Sequence, residues 1–455
     1  MSDSLQPTIN HVSYGGQFEV EPEYEADSWI QLEETGSMET DNLNKKRDIP
    51  SDFRIWEPVG QSNNHYDGSS FKFKIVSYNV LAQYLLECHP YLYTHCSPRD
   101  LKWKVRAARL YNEILSLEPD ILCLQEVQAS HIQSFYSKFE EIGYCGVFKQ
   151  KTGHRQDGCA IYYKRSMFHL EDHISVEFYQ PELPLLNRDN VGLAVRLRPR
   201  HPSAPGLPPA PPLVVATTHL LYNPKRTDVR LAQMQLLLAE IDRFAYYRDG
   251  ARSGHHPIIL TGDLNSPPDS AVIKLLSRGH VSASHFRDNS DWRRIGVTDN
   301  CQHLAVYLSR LKGAATDDSM IKIYNSESGG EGEVVGREGR EGRGAADGEG
   351  VSEEHGGLFN SGELGHGLRL ASVYGQRKSD GSFEATTFQD YWLTVDYIYF
   401  SRCSALRLLE RLRLPTEAEC SRLGQLPNHQ YGSDHLALAA LFEIRRPGAG
   451  PSSNL

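Results

Sequence analysis

Eight short apolar runs, six of them with an acidic, amide or imidazole side chain at or near one end, limit the folds open to this chain. They are "FKFKIVSYNVLA", "PDILCLQEV", "GCAIYYK", "VGLAVRL", "PLVVATTHLL", "HPIILTGDLNS", "TVDYIYFS" and "HLALAALFEI". Each is strand-sized, and several are apolar at consecutive positions, as strands covered on both faces should be. Helical stretches lie between some of them. "SPRDLKWKVRAARLYNEILSLEPD" offers Asp100 as an N-cap and stops before Pro119. "TDVRLAQMQLLLAEIDRFA" offers Thr227 as an N-cap and places Leu231, Met234, Leu238 and Ile241 at helical spacing, facing a core. This mixture predicts a layered α/β domain over residues 71–445, large but able to form a single sandwich.

The other segments read differently. Residues 1–52 are acidic and polar, with little apolar surface to offset the entropy of ordering, and read as a disordered arm. "FRIWEPVG", within 53–70, reads as a short docked extension. The stretch "GGEGEVVGREGREGRGAADGEGVSEEHGG" is rich in glycine and charge without a phosphate-cradling motif. It predicts a flexible surface insertion over about 313–367, and residues 446–455 predict a disordered tail. The net charge of −10 argues against nucleic-acid binding by bulk charge, but not against a nuclease, because a divalent-cation site itself gathers carboxylates. No apolar run approaches bilayer length, and the polar N-terminus is not a secretory signal. Eight cysteines without a Cys-x-x-Cys pair read as reduced thiols. The expected location is cytoplasmic, with a nuclear fraction allowed. Cys88, His89, His95 and Cys96 lie close together, but their spacing matches no common zinc site, so a loop is the better reading.

The positions of the polar residues carry the functional signal. Asn79 ends "KIVSYN", Glu126 ends "DILCLQE", and His219 ends "VVATTH". Asp263 and Asn265 end "IILTGDLN", Asp396 interrupts "LTVDYIYF", and Asp434 with His435 precedes the last run. A single Asp at a strand end is usually a turn or a cap. Six such groups on strands that can share one sheet edge point instead to phosphodiester cleavage. Mg²⁺ commonly takes only one or two protein carboxylates, plus water and phosphate oxygens. Glu126 is the first ligand candidate, with Asn79 beside it and Asp434 as a further ligand. Asp263 is placed to accept a proton from water, and Asn265 to position that water or a phosphate oxygen. His219 and His435 suit developing phosphate charge, with Asp396 orienting His435.

With these residues assembled, the chain resembles the endonuclease/exonuclease/phosphatase superfamily, through "SYNVL", "LQEV", "TTHL", "TGDLNSPPDS", "VDYIYF" and "GSDHLAL" in the family's order. The resemblance implies a four-layer sandwich of two mixed β-sheets flanked by helices. It also implies a magnesium site on Glu126 and Asn79, with Asp263, Asn265, His219, Asp396, Asp434 and His435 as the remaining set. One-ion and two-ion use stay open, as does the choice of proton acceptor between Asp263 and the Asp396–His435 pair. "TTHLLYNPKRTDVRLAQMQLL" looks like the deadenylase branch, which includes nocturnin, and implies Pro224 and Tyr391 as contacts to a terminal nucleotide. Lys225 and Arg226 are candidates for RNA phosphates, and Asn190, together with Asp157, for the substrate groove; for each a structural role is an equal reading. The opening segment and "RQDGCAIYYK" are most similar to the angel proteins.

That branch implies action on single-stranded RNA 3′ ends, by 3′-to-5′ exonucleolytic (deadenylase-like) removal of nucleotides, by hydrolysis of 2′,3′-cyclic phosphates, or both. It also implies binding to the cap-binding translation initiation factor through Tyr-x-x-x-x-Leu-apolar. Here Tyr24, Trp29 and Ile30 put Trp where Leu belongs. No leucine-rich-repeat assembly module is visible. Two other readings stand beside the leading one: a translation-linked adaptor with a weakly active nuclease domain, and a DNA or phospholipid phosphodiesterase of the same superfamily.

Overall fold

The computed structural model describes residues 53–60, 70–181, 186–200, 209–282 and 363–446. The acidic arm, most of the glycine-rich insertion, the tail beyond Arg446 and the Tyr24–Ile30 segment lie outside the described residues. All described residues belong to one compact unit, Asp48–Leu455.

Two large sheets form the frame. The first has seven strands, in the order β1 (Trp56–Pro58), β18 (Leu406–Leu412), β19 (Leu438–Arg445), β2 (Ser70–Asn79), β3 (Ile121–Gln128), β5 (Asp157–Lys164) and β4 (Tyr144–Gln150). The second has six, in the order β14 (Leu370–Ser372), β17 (Asp396–Ser401), β11 (Ile258–Asp263), β8 (Leu213–His219), β7 (Val191–Pro199) and β6 (Phe168–Glu177). Three two-stranded ribbons complete the set: β9 (Tyr246–Asp249) with β10 (Arg252–His255), β12 (His280–Ser282) with β13 (Glu363–Gly365), and β15 (Thr387–Gln389) with β16 (Tyr391–Leu393). Both large sheets mix parallel pairs, β2 with β3 and β8 with β11, with antiparallel ones. All eight apolar runs lie on strands of these two sheets.

The two-residue period of strands explains the layers. In β2 and β3, Phe73, Ile75, Ile121 and Cys123 face inward and join Leu193, Val215, Ile259 and Ile398 of the other sheet in one cluster. Their neighbours Val76, Leu122 and Leu124 face outward onto Leu110, Ile114 and Leu117 of α2 (Trp103–Leu117). On the other side, Val214, Ala216, Leu260 and Tyr397 face outward onto α4 (Thr227–Ala245) and α5 (Ala271–Arg278). Helix, sheet, sheet, helix is therefore the order of layers, as the resemblance implies. Two cap expectations differ. Asp100 lies ahead of α2 and pairs with Arg109 at 2.7 Å instead of capping. Thr227 is the first residue of α4, and its Oγ1 accepts from Arg230. None of the described helices is long and apolar enough to cross a membrane, and none of the seven described cysteines is in a disulfide.

The same period places the polar end. Along β2 the inward positions run Phe73, Ile75, Ser77, Asn79; along β8 they run Leu213, Val215, Thr217, His219; along β11 they run Ile259, Thr261, Asp263. Each inner face thus passes from apolar to hydroxyl to charged or amide at one end of the sandwich. Gln125 marks the boundary, donating across the gap between sheets to Thr217 Oγ1 at 2.8 Å.

Gly262 is a backbone requirement at this boundary. Its φ is +146°, and a Cβ there would sit 2.1 Å from the carbonyl oxygen of Thr218 on the neighbouring strand. We expect Gly262→Ala to cost about 3 kcal/mol or more of stability in chemical denaturation. Gly254→Ala, on the exposed ribbon with its nearest neighbour at 3.4 Å, should stay near wild type. Equal midpoints for the two variants would contradict this account of the strand end.

Candidate active site

Strand register delivers the site residues to one place. Asp263 lies beside His219 on the parallel neighbour β8 and beside Asp396 on the antiparallel neighbour β17. β17 and β19 run opposite to β11 and β2, so their beginnings coincide with the others' ends. This explains why Asp396 and His435 precede apolar runs while Asn79, Glu126 and Asp263 follow them.

Glu126 needs a further device, because its predecessor Gln125 already faces inward. The pairing of β3 with β5 shifts between Leu124 and Val127, and Glu126 has a φ of +59°. This bulge turns the carboxylate into the cleft, a local strain typical of sites that re-aim a side chain. Asn265, with a φ of +44°, is a second such position.

The contacts are close and mostly buried. Asn79 Nδ2 donates to Glu126 Oε1 and to Asp263 Oδ2, both at 3.0 Å, bridging the two sheets. The Ala82 amide donates to Glu126 Oε2 at 2.9 Å. His435 Nδ1 lies 2.8 Å from Asp396 Oδ2, and its Nε2 faces Asp263 Oδ2 at 3.7 Å and Asp434 Oδ1 at 3.9 Å. His219 spans the space between Glu126 (3.8 Å) and Asp263 (3.6 Å), and its Nδ1 is buried with no hydrogen-bond partner among the described residues. Asp434 accepts from Tyr93 at 2.9 Å.

Three predicted roles differ in detail, those of Asn79, Asn190 and Arg226. Asn79 was expected to offer oxygen to a cation. Its Oδ1 instead accepts from the Leu81 amide at 3.0 Å, so the side chain orients two carboxylates. Asn190 was a groove candidate. It is buried, donating to the His219 carbonyl and accepting from Gln233, both at 3.1 Å, and so fixes the histidine loop. Asn265 donates to the Leu220 carbonyl at 2.9 Å, and its own amide donates to Asp263 Oδ1 at 2.9 Å. Pro224, Lys225 and Tyr391 are exposed, Tyr391 by 68% of its surface, which rules out core packing for that ring. Arg226 is tied to Asp228 at 3.1 Å and is not a free phosphate cation.

Three neighbours of the set, Tyr84, Tyr93 and Lys151, escape a reading by strand ends. Tyr84 donates to Asp157 at 2.5 Å, and Asp157 in turn holds Lys151 Nζ at 2.8 Å. Tyr93 holds Asp434, as above. Tyr84 lies on the short helix Gln83–Cys88, Tyr93 ends the single turn Pro90–Tyr93, and Lys151 follows β4, all segments too short for a periodic signal; Asp157 carries the DG turn pattern but serves as the lysine's counter-ion.

Burial and charge divide the titratable groups. Burial, with the Asp157 and Asp434 charges, pushes Glu126 up to about 7, against Lys151 and the Asn79 hydrogen bond. Burial and the Asp396 charge raise Asp263. Burial and Lys151 push His219 down to about 3, so it is a neutral imidazole at pH 7. His435 goes the other way. Burial would lower it, but Asp396, Asp434 and Asp263 outweigh that and hold it protonated. The cleft therefore has an oxygen-rich wall of Glu126 and Asp434 suited to a hard cation, and an acid–base wall of Asp263, Asp396 and His435. The last three also bring ligand atoms within 4.8 Å of one another, alone in this among the described His, Cys, Asp and Glu residues. With His435 Nδ1 committed to Asp396, this trio fits proton handling better than metal ligation.

The chain matches the model of the endonuclease/exonuclease/phosphatase family over residues 76–435. It is 36% identical to protein angel homolog 1 of Rattus norvegicus, over 87% of this chain and 68% of the relative. It is 34% identical to protein angel homolog 2 of Bos taurus, over 83% and 70%. Its fold is similar to the solved structure of ANGEL2, a 2′,3′-cyclic phosphatase, in complex with adenosine-2′,3′-vanadate, with a TM-score of 0.65, 32% identity, and coverage of 86% of this chain and 98% of that one. The polar strand ends and their register belong to the matched span, and the chain is a member of the endonuclease/exonuclease/phosphatase family.

Proposed function

We propose that this chain is a Mg²⁺-dependent hydrolase of RNA 3′ ends whose substrate is the 2′,3′-cyclic phosphate. The observation that carries the reading is the single cleft in which a carboxylate wall faces the Asp396–His435 pair across Asp263. The likeness to ANGEL2 in complex with adenosine-2′,3′-vanadate supports the choice of substrate.

Glu126 and Asp434 would hold Mg²⁺, with Asn79 orienting the first carboxylate and Tyr93 the second. When bound, the ion neutralises charge on the phosphoryl oxygens. His435, kept protonated by Asp396, acts as a donor and not as the base. Asp263, 3.7 Å from His435 Nε2, is left as the acceptor for the proton of the attacking water. Water oxygen bonds to phosphorus, one ribose–oxygen bond to phosphorus breaks, and the departing oxygen takes the His435 proton. Neutral His219 donates a hydrogen bond to a phosphoryl oxygen. Exposed Tyr391 and Pro224 offer surface to the terminal base, and Lys225 charge to the backbone.

The test compares RNAs ending in 2′,3′-cyclic phosphate with RNAs ending in 3′-hydroxyl poly(A), with Mg²⁺ and with EDTA. Opening of the cyclic end only with Mg²⁺ is expected, with Glu126→Ala slower by on the order of a thousandfold. Shortening of poly(A) with intact cyclic ends would replace this reading by the exonuclease one. No turnover of either by folded protein would sink both.

Glu126 also predicts a pH dependence of the metal-free protein. Its folded pKa lies above that of a free glutamate, so the folded state holds the proton more tightly than the unfolded state. The stability from that proton is present below pH 4.5 and is lost as pH rises through about 7. Glu126→Gln should therefore gain on wild type between pH 4.5 and pH 8 in EDTA, by up to about 3 kcal/mol in chemical denaturation. A difference that does not change with pH would contradict the buried-carboxylate account.

A further inference from the structure

The most deeply buried guanidinium near the cleft belongs to none of the roles above. Arg106 lies on α2, on the same stripe as Leu110, Ile114 and Leu117, and is fully buried. A charge on an apolar stripe normally finds a counter-ion. Arg106 makes no salt bridge among the described residues. Its four hydrogen bonds go to neutral oxygens: the Gly432 carbonyl (2.7 Å), Gln83 Oε1 (2.8 Å), and the carbonyls of Val80 (2.8 Å) and Leu81 (2.6 Å).

Those acceptors lie on two separate loops that both lead into the cation wall. Val80 and Leu81 sit between Asn79, which orients Glu126, and Ala82, whose amide holds the other oxygen of Glu126. Leu81 has a φ of +54°, a conformation a leucine keeps only when its surroundings enforce it. Gly432 immediately precedes Ser433, whose hydroxyl donates to the Asn79 carbonyl at 2.7 Å, and Asp434. Gly432 is itself pressed against the helix: a Cβ there would sit 2.7 Å from the Arg106 carbonyl oxygen and 2.9 Å from Leu110 Cγ. One planar fork thus clamps the Glu126 loop and the Asp434 loop to the same point of α2. A Lys, with three donors on one atom, cannot reproduce that geometry.

We propose that Arg106 is the positioning residue of the cation site, fixing the separation of Glu126 and Asp434 before the ion arrives. This rests on the reading of those two carboxylates as the Mg²⁺ ligands. The role is geometric. Arg106 is a cation itself, and felt as a charge alone it would repel Mg²⁺, so removing it would tighten binding. Held as a clamp, it spares the ion the entropy of gathering two loops, and removing it weakens binding.

The test is direct Mg²⁺ titration by calorimetry on the full chain, with thermal unfolding in EDTA as the second readout. Wild type, Arg106→Met, Arg106→Lys and Gly432→Ala are compared with Ile114→Ala, a packing control two turns along the same helix. Arg106→Met and Arg106→Lys should each weaken Mg²⁺ binding about tenfold to a hundredfold, the range found for partners of metal ligands. Gly432→Ala should weaken it in the same direction, while Ile114→Ala lowers the melting temperature with Mg²⁺ affinity unchanged. If Arg106→Met does not fold, Arg106→Lys and Gly432→Ala carry the same expectation. Wild-type affinity in Arg106→Lys, or tighter binding in Arg106→Met, overturns the clamp while leaving the proposed function standing. A wild-type protein that binds no Mg²⁺ overturns both.

Discussion

The amide of Asn79 joins the two sheets at the one point where their inner faces are charged. It donates to Glu126 on one sheet and to Asp263 on the other. Without such a donor, two buried carboxylates would face each other across the gap, and repulsion in a poorly screened interior would open the sandwich at that end. The same need for positive charge or donors recurs around the rim. Lys151 answers Asp157, protonated His435 answers Asp396, and Tyr93 answers Asp434. The sandwich can bury this much acid because nearly every oxygen has a specific partner, and because a divalent cation is the natural counter-charge for what remains.

The site's geometry also follows from an ordinary property of strands. Inward positions repeat every second residue, so a strand whose inner face is apolar in the core can be polar at its tip with no change of conformation. β2, β8 and β11 all do this. The exception is informative. Glu126 occupies an outward position in the regular period and reaches the cleft only through a bulge with positive φ. The residue expected to carry the largest share of the cation's charge is thus one that the regular strand would point away from the cleft.

These facts set what could be read in advance. The eight runs and the six polar ends were legible because buried strands leave dense apolar segments, and because a polar group at their edge is conspicuous. The four-layer order was legible only through the resemblance. The direction of an amide was not: whether Asn79 turns oxygen or nitrogen toward Glu126 depends on the Leu81 amide, a contact set by a left-handed turn. The inward burial of Asn190 depends on Gln233 of a helix far along the chain. Arg106 is an intermediate case. Its spacing to Leu110, Ile114 and Leu117 puts a charge on a buried stripe, a visible anomaly, yet its acceptors are backbone carbonyls that no side-chain pattern announces.

On the proposed function, the cleft divides into a cation wall of Glu126 and Asp434 and an acid–base wall of Asp263, Asp396 and His435. Anomalous diffraction from crystals grown with Mn²⁺ in place of Mg²⁺ tests it most directly, because the metal reports its own position. The expected peak lies within coordination distance of Glu126, on the Asp434 side, with His435 Nδ1 still bonded to Asp396. A peak ligated by Asp263, Asp396 and His435, with Glu126 bare, would contradict it.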